Sequence, residues 1–72
     1  MISEIDIADW ERLPLTPLYS VNNKTYVYVP EFDMTVFFDH IDGMYSFCLD
    51  MNNNVVHLAA WTDVHPLTKA TA

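Results

Sequence analysis

This chain has a single glycine, Gly43, a single cysteine, Cys48, and only three Lys or Arg side chains, Arg12, Lys24 and Lys69. Each shortage excludes something. One cysteine forbids an internal disulfide, and no close Cys or His pair signals a structural metal. The 72 residues must therefore be held by packing or by a partner, with no cofactor implied. Three cations stand against ten acids, for a net charge of −7. Nucleic acid, anionic lipid and phosphate-rich ligands all draw on several Lys or Arg contacts, so each is disfavoured as a partner. No apolar run approaches the ~18 residues of a membrane span. The start, Met1-Ile-Ser-Glu-Ile-Asp6, lacks the positive region of a signal peptide, and the expected location is the cytoplasm.

What the chain does have is apolar surface. It is 51% hydrophobic and 14% aromatic, which argues for one packed domain over residues 1–72 and against disorder. The strongest local signal is Asp42-Gly43, set between Met34-Thr-Val-Phe-Phe-Asp-His-Ile41 and Met44-Tyr-Ser-Phe-Cys-Leu-Asp50. A type I′ hairpin turn needs φ > 0 at both central residues, which Asp-Gly supplies. Counting outward pairs Ile41 with Met44, Phe38 with Phe47 and Val36 with Leu49. Val36, Phe38, His40, Tyr45, Phe47 and Leu49 then share a core face. Phe37, Asp39, Ile41, Met44, Ser46, Cys48 and Asp50 share a mixed one, because a one-residue slip exchanges faces.

The remaining elements follow from composition. Asp9–Arg12 reads as a short helical turn stopped by Pro14, within an N-terminal segment 1–13. Leu13-Pro-Leu-Thr-Pro-Leu18 is extended and unsuited to the middle of a sheet. Thr25–Val29 is a strand, β-branched or aromatic at every position. Asn-rich 51–54 is a turn, and Val55–Trp61 a strand with Val56, Leu58 and Ala60 facing inward. Val64–Leu67 is a last short strand or 3₁₀ element, before a frayed tail over 68–72. About five short antiparallel strands over 18–67 predict an all-β fold, a small SH3-like barrel with a short N-terminal helical turn.

The layout Asp9…Leu13-Pro14…Leu18-Tyr19…Thr25-Tyr26-Val27, then Met44-Tyr45-Ser46…Asp50…Asn54-Val55-Val56-His57…Thr62-Asp63-Val64…Pro66-Leu67 resembles small bacteriophage-encoded accessory proteins. In that group a D-L-P-x-G start, a Y-V strand and a final V-x-P-L recur. Leu15-Thr16-Pro17 stands here where the glycine is expected. The resemblance implies a product of infection that acts by binding, in the host cytoplasm.

Three readings of function compete. The first is a non-enzymatic acidic protein that docks on a host protein with a basic or apolar surface and modulates or inhibits it. Trp61, Phe37, Ile41 and Met44 would be its apolar anchors, with Asp39, Asp42 and Asp63 meeting the basic surface. The mixed face has to be covered by the N-terminal segment through Ile5, Ile7 and Trp10, by a second copy of the chain, or by that partner. The second reading is a DNA mimic that inhibits a nucleic-acid-binding enzyme. The third is a small metal-binding or enzymatic protein built on His40, His57, His65 and Cys48, for which the spacing offers no ligand motif.

Overall fold

Strands form where the β-branched and aromatic runs place them. The computed structural model describes residues 7–69, and among these seven strands make one unclosed antiparallel sheet. Two-residue strands β1 (Glu11–Arg12) and β2 (Thr16–Pro17) precede a single 3₁₀ turn at Leu18–Ser20. Then come β3 (Thr25–Val29), β4 (Met34–Asp42), β5 (Tyr45–Asp50), β6 (Val55–Val56) and β7 (Asp63–Thr68). The spatial order is β1-β7-β3-β4-β5-β6, with β2 also against β7.

The core forms on one face. Val27 and Val29 of β3, Val36 and Phe38 of β4, Cys48 of β5 and Val64 of β7 are fully buried with Leu18, and Leu58 joins them. Alternation along β3 turns Tyr26 and Tyr28 outward.

The central hairpin departs from the expected register, and the departure moves the aromatics. Asp42 pairs with Tyr45, so the two-residue loop is Gly43-Met44, not Asp42-Gly43. Gly43 has φ +66°, whereas Met44 is not among the residues with positive φ. That sign pattern belongs to a type II′ turn, which needs glycine only at its first central position. A second irregularity falls between Phe38 and His40, where a bulge at Asp39 shifts the ladder by one residue. The Asp39 carbonyl accepts the Lys24 N–H at 3.2 Å instead. Because of the bulge, Phe38 pairs with Cys48 and Phe37 with Leu49. Ser46 and Cys48 are therefore buried, and Ile41 packs against the core. Phe47, Leu49, His40 and Tyr45, expected inside, lie outside it.

Beyond β5 the ladder continues in one register through Leu49↔Val55, Cys48↔Val56 and the bridge Tyr45↔Ala59. As expected, Leu58 and Ala60 are buried and Val56 packs on the core. Formal strand stops at Val56 because a side chain takes over the ladder. Ser46 Oγ accepts the Leu58 N–H at 3.2 Å and donates to the Leu58 carbonyl at 2.9 Å. The Ser46 N–H reaches that same carbonyl at 2.7 Å. Ser46→Ala should cost about 1–3 kcal/mol in urea denaturation, since it strips a buried N–H of its acceptor. Hydrogen exchange at the Leu58 amide should quicken with it; an unchanged midpoint would refute this role.

β7 holds the surprise of the fold. Pro66 sits in a strand that has β3 on one side and β1 with β2 on the other. The Pro66 carbonyl accepts the Leu13 N–H at 2.8 Å, and a strand residue's N and C=O point the same way. Its missing N–H thus faces the break between β1 and β2, where no ladder bond is lost.

The N-terminal helical turn over Asp9–Arg12 does not form. The Trp10 N–H closes a turn onto the Ile7 carbonyl at 3.1 Å, and Glu11–Arg12 then pairs with Leu67 and Thr68. The four residues Asp9–Arg12, stopped by Pro14, are too short to sustain a helix on their own, whereas the β7 edge offers ready partners. Thr68, assigned to a frayed tail, is the last residue of β7. The expectations for Ile5 and for residues 70–72 lie outside the described residues.

Candidate functional site

Three connections meet around one depression, each held by its own hydrogen bonds. Between β1 and β2, Leu13 is fixed at both ends: its N–H on Pro66, and its carbonyl accepting from His65 Nδ1 at 2.9 Å. Leu15 follows, with its side chain outward. Between β3 and β4, the Phe32 N–H donates to Val29 O and the Asp33 N–H to Pro30 O, both at 3.3 Å. The turn is locked from the side by the Tyr28 phenol, which donates to Asp33 Oδ1 at 2.5 Å. That bond to a carboxylate raises the Tyr28 pKa above the ordinary phenol value. Between β6 and β7, the Thr62 N–H closes a turn onto Ala59 O at 2.9 Å and presents Trp61.

Leu15, Phe32 and Trp61 line one open groove of about 610 Å³, together with Leu58 on its floor. They are 51%, 55% and 58% exposed, unusually wet for side chains so large. Charge in the lining comes from Glu31 and Asp63, with the His57 imidazole beside them, and no Lys or Arg contributes. His57 is oriented by its Nδ1, which donates to Ser46 O at 3.0 Å. The chemistry on offer is apolar contact framed by negative charge.

The expected anchors are only partly brought together. Trp61 and Asp63 line the groove. Met44 lies at the hairpin loop, 65% exposed, with its carbonyl accepting the Ala60 N–H at 2.8 Å, one residue from Trp61. Asp42 is exposed at the same hairpin. Phe37 is elsewhere. It is half-buried against Tyr26 at 5.0 Å between ring centroids, and Tyr26 in turn meets Trp10 edge-on at 5.6 Å. Ile7, 4% exposed, belongs to the same covering segment. That part of the outer face is therefore covered by the chain itself, through Ile7 and Trp10. Ile41 is taken up by the core. Asp39 is engaged by His40, whose Nδ1 donates to Asp39 Oδ2 at 2.6 Å.

Leu15, Phe32 and Glu31 were not foreseen as site residues. A phenylalanine inside the acidic turn Pro30-Glu-Phe-Asp33 was a readable sign, since Gly, Pro, Asn, Asp and Ser are the residues that turns favour. Leu15 offered none, because nothing local says which side of a proline-flanked stretch faces solvent.

The histidines and the cysteine are each engaged by other groups. His40 stacks on Phe47 at 5.5 Å and His57 meets the same ring edge-on at 5.9 Å, while His65 stacks on Tyr28 at 6.4 Å. Among the described residues, no group of three or more His, Cys, Asp or Glu side chains could hold a metal ion. Asp50 is spent on the Asn turn: its carboxylate accepts from the Asn54 and Asn52 backbone N–H groups, which hold its pKa below the ordinary value. Cys48 is fully buried, and its thiol pKa is raised, first by burial and further by the Asp39 charge. Iodoacetamide should therefore alkylate Cys48 on the order of 100-fold more slowly in the folded protein than in urea, since the thiolate is suppressed and reached only by opening. Equal rates would mean that the strand is not packed.

Among the described residues no helix is long and apolar enough to cross a membrane. Set against family models, curated proteins and solved structures, the chain matches none of them.

Proposed function

We propose that this chain is a non-enzymatic acidic binding protein that docks on another protein and modulates it. One observation carries the reading: Trp61, Phe32 and Leu15 stand more than half exposed around a single groove whose lining carries the carboxylates of Glu31 and Asp63 and no Lys or Arg. Exposed aromatic anchors ringed by charge are the usual makings of a protein contact. The resemblance to bacteriophage-encoded accessory proteins makes the partner a host protein, met in the host cytoplasm. A small SH3-like architecture is the finer reading of this all-β chain, supported by short antiparallel strands and by the Tyr19 N–H, which donates at 3.0 Å to the carbonyl of Ala60 in the β6–β7 connection.

Acidic mimicry of DNA is the weaker reading, because three of the ten acids are engaged within the chain. Asp33 is held by Tyr28, Asp39 by His40, and Asp50 by the Asn turn. Salt separates the two. A partner captured by the immobilised chain should stay bound as ionic strength rises from 0.1 to 0.5 M if apolar anchors dominate, and a mimic's partner should be released. Release by salt combined with indifference to Trp61→Ala would overturn the proposal.

A further inference from the structure

We infer that the Leu15–Phe32–Trp61 groove takes a short linear segment of a partner protein, one with apolar side chains flanked by Lys or Arg. This rests on the binding reading above and goes beyond it by assigning the surface and the chemistry of what fills it.

The groove suits a peptide. At about 610 Å³ it falls within the size of ligand-binding clefts, yet it is open to solvent and not an enclosed cavity. Its apolar groups come from three separate connections, so an occupant has to touch all of them in passing. Each connection is braced independently, by Leu13 against Pro66 and His65, by Tyr28 against Asp33, and by Thr62 against Ala59. A pre-formed surface of this kind spends little ordering entropy when it binds.

Charge decides between a foreign segment and a second copy. Glu31 and Asp63 are both exposed at the groove and unmatched by any cation in its lining. A second copy would bring another −7 of net charge and only three cations of its own. One of those, Arg12, already stands over the Tyr28 ring at 3.9 Å, outside the groove. Self-association thus sets like charge against like, whereas Lys or Arg at either end of an apolar segment meets Asp63 and Glu31 directly.

The chain has two tryptophans, Trp61 in the groove and Trp10 against Tyr26, so the indole N–H signals in a ¹⁵N NMR spectrum report the site and an internal reference. The probes are a library of short blocked peptides with apolar cores flanked by Lys or Arg, and the same library with Glu at the flanks. The cationic set should move the Trp61 signal saturably and leave Trp10 in place, and the Glu set should move neither. Glu31→Lys with Asp63→Lys, both at exposed sites, should weaken the best peptide on the order of tenfold or more. Equal response to both libraries, or no response of Trp61 to any member, overturns the assignment. So does a Trp61 signal that shifts with protein concentration alone, which would mean a second copy. A captured whole protein that moves Trp61 where no peptide does leaves the binding reading standing and removes the linear segment. Failure to bind either peptide or protein removes both.

Discussion

Phe38→Ala should leave the protein largely unfolded at room temperature. Phe38 is the bulkiest of the fully buried side chains, walled by Val27, Val36, Cys48 and Val64 in one cluster. Truncating such a ring costs about 3–5 kcal/mol, the transfer of its surface plus the cavity left behind. A chain of this length has a total stability of about 4–11 kcal/mol, so the loss takes most of what there is. The neighbouring Phe37→Ala should be much milder. It gives up partial burial and one tilted aromatic contact with Tyr26, about 1–2 kcal/mol together. Urea denaturation of the pair, followed by far-UV circular dichroism, checks the ordering. If Phe37→Ala proves the more damaging, the inward and outward faces of β4 are reversed.

Trp61→Ala should have the opposite profile, with an intact fold and lost binding. Trp61 is 58% exposed and sits in a turn closed by backbone bonds, so its removal should move the melting midpoint little. In the proposed complex it is the largest anchor, and truncating such a residue costs on the order of 2 kcal/mol or more, about a 30-fold loss of affinity. Calorimetry with the captured partner measures the loss. Phe37→Ala, compared at a temperature where it stays folded, should bind normally, because Phe37 is covered by Tyr26 and is no part of the groove. A Trp61→Ala variant with undiminished affinity would move the contact surface elsewhere on the molecule.

Much of the fold was legible in the residues. Thr25–Val29 reads as a strand because every side chain suits a pleated surface, and it is one. The inward set Val56, Leu58, Ala60 follows from period two alone. The hairpin was legible as a hairpin but not in register. Gly43 satisfies either loop, and nothing in Phe37-Phe38-Asp39-His40 announces that Asp39 will bulge and turn its carbonyl to the Lys24 N–H, a partner distant in the chain. The N-terminal strand was hidden for a related reason: Glu11–Arg12 has no strand propensity and is extended only because β7 lies beside it. Of the site, Trp61 was readable as an apolar anchor at the end of the Val55–Trp61 strand, and Asp63 as an acid placed to meet a basic surface. Their companions Leu15 and Phe32 come from connections 17 residues apart in the chain, and their meeting is a property of the folded sheet.

The brevity of β1 and β6 has one more consequence. A sheet this rich in Val, Phe and Tyr, with a long strand at its rim, would recruit copies of itself into fibrils. Here the outermost ladder rows are two residues each, and beyond β6 the chain is met by Leu18 and Tyr19. Among the described residues, growth by strand addition is offered rims only two residues long, which is how a half-apolar sheet can avoid pairing edge to edge with copies of itself.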